Sequence, residues 1–143
     1  MTRRFDASPE RVFAACVDPE LTRQWLFASA SDETYSAEID ARAGGAWTIT
    51  ARREGVDYTA SGEYLEIDRP HRLVFTFAMF QFSPNSDTIT VEIVPDGAGS
   101  IMTFTQAGID IADELRQTPE GEQGGSEQGW GQMFNGLAAV LAA

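Results

Sequence analysis

Few side chains in this sequence are equipped for chemistry. His71 is the only histidine, Cys16 is the only cysteine, and lysine is absent. Without lysine, Schiff-base and lysine-nucleophile mechanisms are excluded. One histidine and one cysteine cannot make the His/Cys set of a zinc or haem site, so no metal and no cofactor is expected. A Ser-His-Asp triad would have to use His71, which sits beside Pro70 in a predicted turn, and no G-x-S-x-G motif accompanies it. Gly129-Trp130-Gly131 has neither the spacing nor the context of a dinucleotide fingerprint. Cys16 falls on the apolar face of a predicted helix, where a buried thiol is inert. Glu63 and Asp40 fall on the outer face of predicted strands; a register slip of one residue would turn Glu63 inward as a candidate acid. No residue is therefore assigned a catalytic role. The phenols of Tyr58 and Tyr64 are better suited to anchoring the polar end of a ligand in an apolar pocket.

These residues must be positioned by elements that the chain's punctuation marks out. Ser8-Pro9 and Asp18-Pro19 each pair an N-cap with a first-turn proline, and predict two short consecutive helices that end near Phe27. A first strand over residues 2–6 precedes them. From Tyr35 the apolar period becomes two. Gly44-Gly45, Glu54-Gly55, residues 68–71, Pro84-Asn85 and residues 95–99 divide the chain from there into six strands. Residues 111–116 read as a short helix and residues 119–126 as a loop. From Glu127, the residues Trp130, Met133, Phe134, Leu137, Val140 and Leu141 form one helical stripe. The fold class is α+β: a seven-stranded antiparallel sheet curled around a long C-terminal helix, in a single domain over residues 1–143.

A four-residue turn over residues 68–71 would set Ile67 opposite Arg72, Tyr64 opposite Phe75, Gly62 opposite Phe77 and Ala60 opposite Met79. The aromatic side of that ribbon should face the helix. Across the next hairpin, Ile93 pairs with Met102 and Val91 with Phe104. The small Ala60 and Gly62 among large rings leave room for a cavity. Its expected lining is Trp47, Ile49, Tyr58, Tyr64, Phe75, Phe77, Met79, Phe104, Trp130, Met133, Phe134 and Leu137. Residues 121–125 should be mobile and gate the cavity, with Trp130 as the inner wall.

Composition narrows the partners. The net charge is −12 and the ten arginines are scattered, so phosphate-rich nucleic acid and anionic membrane surfaces are disfavoured. A lone cysteine allows no internal disulfide. No apolar run approaches the roughly 18 residues of a membrane-spanning helix, and no apolar segment follows Arg3-Arg4, so a cytoplasmic location is expected.

Ala7-Ser8-Pro9-Glu10-Arg11-Val12-Phe13, Asp18-Pro19-Glu20-Leu21 with Trp25, Gly44-Gly45-Ala46-Trp47, the run from Gly62 to Phe75, and Gly129-Trp130 occur in an order that resembles the bacterial homologues of the activator of heat-shock protein 90 ATPase. These belong to the helix-grip superfamily (SRPBCC) of START-like lipid-transfer domains and the birch-pollen allergen. The resemblance implies a sheet gripping the last helix around a cavity. The leading functional expectation is binding of a small hydrophobic or aromatic molecule. A stress-linked cochaperone-type protein-interaction domain is one alternative, and a cyclase- or hydrolase-type enzyme using the same cavity is another; on any of these readings a monomer or a homodimer is expected.

Overall fold

A computed structural model describes residues 1–142. The element order is β1 (Thr2–Phe5), α1 (Pro9–Val17), α2 (Pro19–Thr22), β2 (Thr34–Ile39), β3 (Ala46–Arg53), β4 (Val56–Asp68), β5 (Arg72–Phe77), β6 (Asp87–Asp96), β7 (Gly99–Ala107), α3 (Ile109–Gln117) and α4 (Gly125–Ala142). The seven strands form one antiparallel sheet in the order β1-β7-β6-β5-β4-β3-β2. The caps act as the sequence predicts: Ser8 Oγ accepts from Arg11 N at 3.3 Å and Asp18 Oδ1 from Glu20 N at 3.0 Å. The second helix is shorter than expected. It stops at Thr22, and irregular turns carry the chain to Phe27.

Two hairpins correct the sequence reading. Asp68 pairs with Arg72 and Ile67 with Leu73, so the turn holds residues 69–71 rather than 68–71. A β-bulge between Tyr64 and Glu66 absorbs the difference, and Tyr64 still lies opposite Phe75. The extra residue, Leu65, is half exposed. The bulge lets Tyr64 and Ile67, three apart, share the inner face. Farther along, β5 ends at Phe77 and continues only as the bridge between Ser61 and Ala78. The β6–β7 turn is tighter than expected, because Asp96 pairs with Gly99, while Ile93–Met102 and Val91–Phe104 fall as expected.

The core fills the space between the inner face of the sheet and α4. Trp47 and Ile49 of β3, Leu73 and Phe75 of β5, Ile89, Val91 and Ile93 of β6, and Met102 and Phe104 of β7 meet Trp130, Phe134, Leu137 and Leu141. The α1–α2 segment fixes the far end of α4. Arg11 Nη2 donates to Leu141 O at 2.7 Å, and Trp25 packs against Gly136, where an added Cβ would lie 3.3 Å from the Trp25 Cβ. α4 begins at Gly125, two residues before the position the apolar stripe suggests. Glu114 of α3 holds its first turn by accepting from both the backbone N–H and the hydroxyl of Ser126, each at 3.1 Å.

Candidate functional site

Packing is uneven along the sheet. At the centre, Trp47, Ile49, Tyr64 and Phe75 close with Cys16, Leu26 and Ile39 around a residual gap of about 10 Å³. That is space for one water at most. Toward the β3–β4 turn, the sheet and α4 diverge and leave a cleft of about 470 Å³. Ala51, Ala60 and Trp130 form its buried floor, and half-buried Phe77, Met79 and Met133 form its walls. Ser29 and Gln132 stand on its exposed rim. The small side chains of Ala51, Ala60 and Gly129 leave the space open, since a Cβ added at Gly129 would meet nothing within 4 Å.

Of the residues the sequence nominated, Tyr58, Phe77, Met79, Trp130 and Met133 line this cleft. Trp47, Ile49, Tyr64, Phe75, Phe134 and Leu137 are packed core instead. Phe104 faces a second, smaller chamber of about 230 Å³ beneath α3, with Trp130 as the shared wall. Trp130 is held rather than free. Its indole N–H donates to Gln106 Oε1 at 3.0 Å, and its ring lies 4.4 Å from Phe104 and 5.4 Å from Phe27, centroid to centroid. Gln106 in turn donates to Asp87 at 2.9 Å, and Asp87 caps the N-terminus of α3 through Ile111 N.

Gly62 does not open the cavity as the sequence suggested. The Trp47 indole passes over it to donate to Thr76 O at 3.1 Å, and Thr76 Oγ1 accepts from Glu63 N at 2.8 Å. A side chain at residue 62 would have no room, because its Cβ would fall 1.8 Å from Thr76 O.

Residues 121–125 do not line the cleft; Ser126 and Gly129 of α4 do. The remaining wall comes from residues 27–29, which the sequence reading left out. Phe27 has φ of 52°, a left-handed conformation that costs a residue with a Cβ about 1–3 kcal/mol. Three contacts offset that cost. The ring stacks on Trp47 at 6.0 Å and meets Phe77 at 5.3 Å, while the carbonyl accepts from Arg53 Nη2 at 3.0 Å. Arg53 was also missed, although it continues the inward alternation of Trp47, Ile49 and Ala51. Its Nε donates to Asp32 Oδ1 at 2.5 Å, and its guanidinium lies 5.7 Å from the centre of the Tyr58 ring.

The other candidates for chemistry lie elsewhere. Glu63 and Asp40 are exposed, and His71 is exposed in its turn. Burial pushes the Cys16 thiol up to about 12 and the Tyr35 phenol, which donates to Leu26 O at 2.8 Å, up to about 12. Burial also raises the Tyr64 phenol well above its ordinary range. All three are therefore neutral at physiological pH. Among the described residues, no group of three His, Cys, Asp or Glu side chains is placed to hold a metal ion, and no helix is long and apolar enough to cross a membrane.

A seven-stranded antiparallel sheet closed on a long C-terminal helix, with a cleft where the two part, defines the helix-grip class. The profile of the Activator of Hsp90 ATPase homolog 1-like protein family matches residues 6–142, and the chain belongs to that family. It is similar to protein CV1439 from Chromobacterium violaceum, with 27% identity and a TM-score of 0.78 over 100% of this chain and 95% of that one. The Mll3558 protein from Rhizobium loti is 26% identical, with a TM-score of 0.73 over 99% of this chain and 94% of the other. A Rhodobacter sphaeroides protein, 19% identical over 99% of this chain and 90% of its own, shares the fold with a TM-score of 0.79. A search of curated proteins gave no match.

Proposed function

We propose that this protein binds a small, largely apolar molecule in the cleft between β3–β4 and the first half of α4. The observation that carries this reading is the contrast within one interior: about 10 Å³ of free space at the centre against about 470 Å³ at the open end. Cores are packed to crystal-like density, and small-molecule sites are concave, apolar and of roughly 300–1,000 Å³. Proteins of this fold commonly bind hydrophobic ligands. Arg53 and Tyr58 are the titratable side chains among the lining residues, which suits holding a molecule better than transforming it.

The test is a titration with N-phenyl-1-naphthylamine, a neutral fluorophore that brightens in apolar surroundings. The comparison is Gly129→Leu, which projects a side chain into open space from a helical position. The wild type should bind saturably at one site, and the variant should fold and fail to bind. Equal binding by both would move the site out of the cleft.

A further inference from the structure

Among the described residues, Arg53 is the only charged side chain lining the cleft. It is placed there by the strand rather than by chance of a flexible stem. Strict alternation from Trp47 puts residue 53 on the inner face, and a two-residue turn with positive φ at both Glu54 and Gly55 ends the strand immediately after it. Its guanidinium is fixed by Asp32 at Nε, by Phe27 O at Nη2 and by the face of Tyr58. Asp32 accepts from Arg53 with one oxygen and from Ser29 N, in its own loop, with the other at 2.8 Å, and does not itself line the cleft. The Asp32 side chain is 9% exposed and that of Arg53 is 32% exposed. The pair is thus anchored to the segment 27–32, while Nη1 of the cleft-lining Arg53 has no hydrogen-bond partner among the described residues.

We propose that the occupant of the cleft is an amphipathic carboxylate, its apolar body on the Ala60–Trp130–Met133 surface and its carboxylate on Arg53. This rests on the cleft being a binding site and names the class of molecule it takes. A guanidinium has five N–H donors and no acceptor, so the group it meets must be an acceptor, and a carboxylate matches its planar edge best. Preorganisation by Asp32, Phe27 and Tyr58 means that little side-chain entropy is lost on binding. The net charge of −12 repels free anions from the surface as a whole, so a carboxylate is retained only when an apolar body enters with it. That favours amphiphiles over small acids such as acetate.

The experiment compares 1-pyrenebutyric acid with 1-pyrenebutanol, which share one aromatic body, by fluorescence titration at pH 7.5. The wild type should bind the acid about tenfold more tightly, the usual worth of a hydrogen bond to a charged group. Replacing Asp32 and Arg53 together by Asn and Gln removes both charges, leaves neither unpaired, and should abolish that preference with alcohol affinity unchanged. Arg53→Lys, which keeps the charge but loses the fork, should reduce the preference several-fold. Equal binding of acid and alcohol by the wild type would overturn the carboxylate assignment alone. A preference that survives in both variants would do the same. Failure of both probes to bind would overturn the cleft reading and this proposal with it.

Discussion

Gly62→Ala is the sharpest test of how the sheet is built. An added Cβ would lie 1.8 Å from the Thr76 carbonyl oxygen, 2.6 Å from its carbon and 2.7 Å from Trp47 Nε1. Two of these are backbone atoms of the neighbouring strand, so no rotamer change relieves the clash. β5 must retreat by more than 1 Å to bring that separation even to 3.0 Å, and ordinary contact begins only at 3.4 Å. The retreat breaks the Trp47 Nε1–Thr76 O bond and the Glu63 N–Thr76 Oγ1 bond. A buried N–H left without a partner costs about 1–3 kcal/mol, and the second bond adds about 1 kcal/mol. Opposing this, alanine in place of glycine favours an extended strand by about 0.5–1 kcal/mol. The clash wins, and a net loss of about 1–3.5 kcal/mol is expected. In urea denaturation this lowers the midpoint by roughly 0.5–2 M at a slope of about 2 kcal/mol/M, usual for a small domain. Thr76→Val, which removes only the hydroxyl acceptor, should cost about 1 kcal/mol. Unchanged or increased stability of Gly62→Ala would refute the proposed path of the Trp47 indole over residue 62.

The same structure fixes the outcome of other perturbations. Gly129→Leu should hold or raise stability by about 0.5–1 kcal/mol, because a helical glycine is replaced where space is open; a large loss in thermal unfolding would show the space to be filled. Trp130→Ala should cost about 3–5 kcal/mol and weaken probe binding. Trp130→Phe should lose about 1–2 kcal/mol with the Gln106 bond and keep most of the affinity, so equal effects of the two would contradict Trp130 as a wall. Stability should fall as the pH rises above about 9. There the unfolded chain ionises Cys16 from 9.0 and Tyr35 and Tyr64 from 10.0, while the folded state keeps the Cys16 and Tyr35 protons to about 12 and the Tyr64 proton also past its ordinary range. Denaturation midpoints that rise between pH 9 and 11 would contradict that burial.

The fold was legible because its signals are periodic. The capped prolines at residues 9 and 19, the alternation of β6 and the α4 stripe each repeat one cue over several residues. The Tyr64–Phe75 pairing came out right through a compensation the sequence does not display: a turn one residue shorter and a bulge at Leu65. At the site, alternation alone would have placed Arg53 inside, but an arginine at a strand end reads as solvated. Phe27 offered no signal, since nothing in a phenylalanine after a four-residue helix announces a positive φ. Gly62 was misread because a missing side chain marks close approach as readily as empty space, and here it marks the Thr76 carbonyl. The aromatic residues of the sheet divided between core and cleft according to how far α4 stands from each strand, which is a tertiary quantity.

The most direct test of cleft binding uses the methionine methyl groups as reporters. Met79 and Met133 line the cleft, whereas Met102 is buried in the core at 1% exposure. With methyl-¹³C methionine incorporated, titration with N-phenyl-1-naphthylamine should shift the Met79 and Met133 resonances together, along one saturation curve, and leave Met102 in place. Saturable binding that leaves Met79 and Met133 unmoved would contradict the account, whatever the probe's affinity.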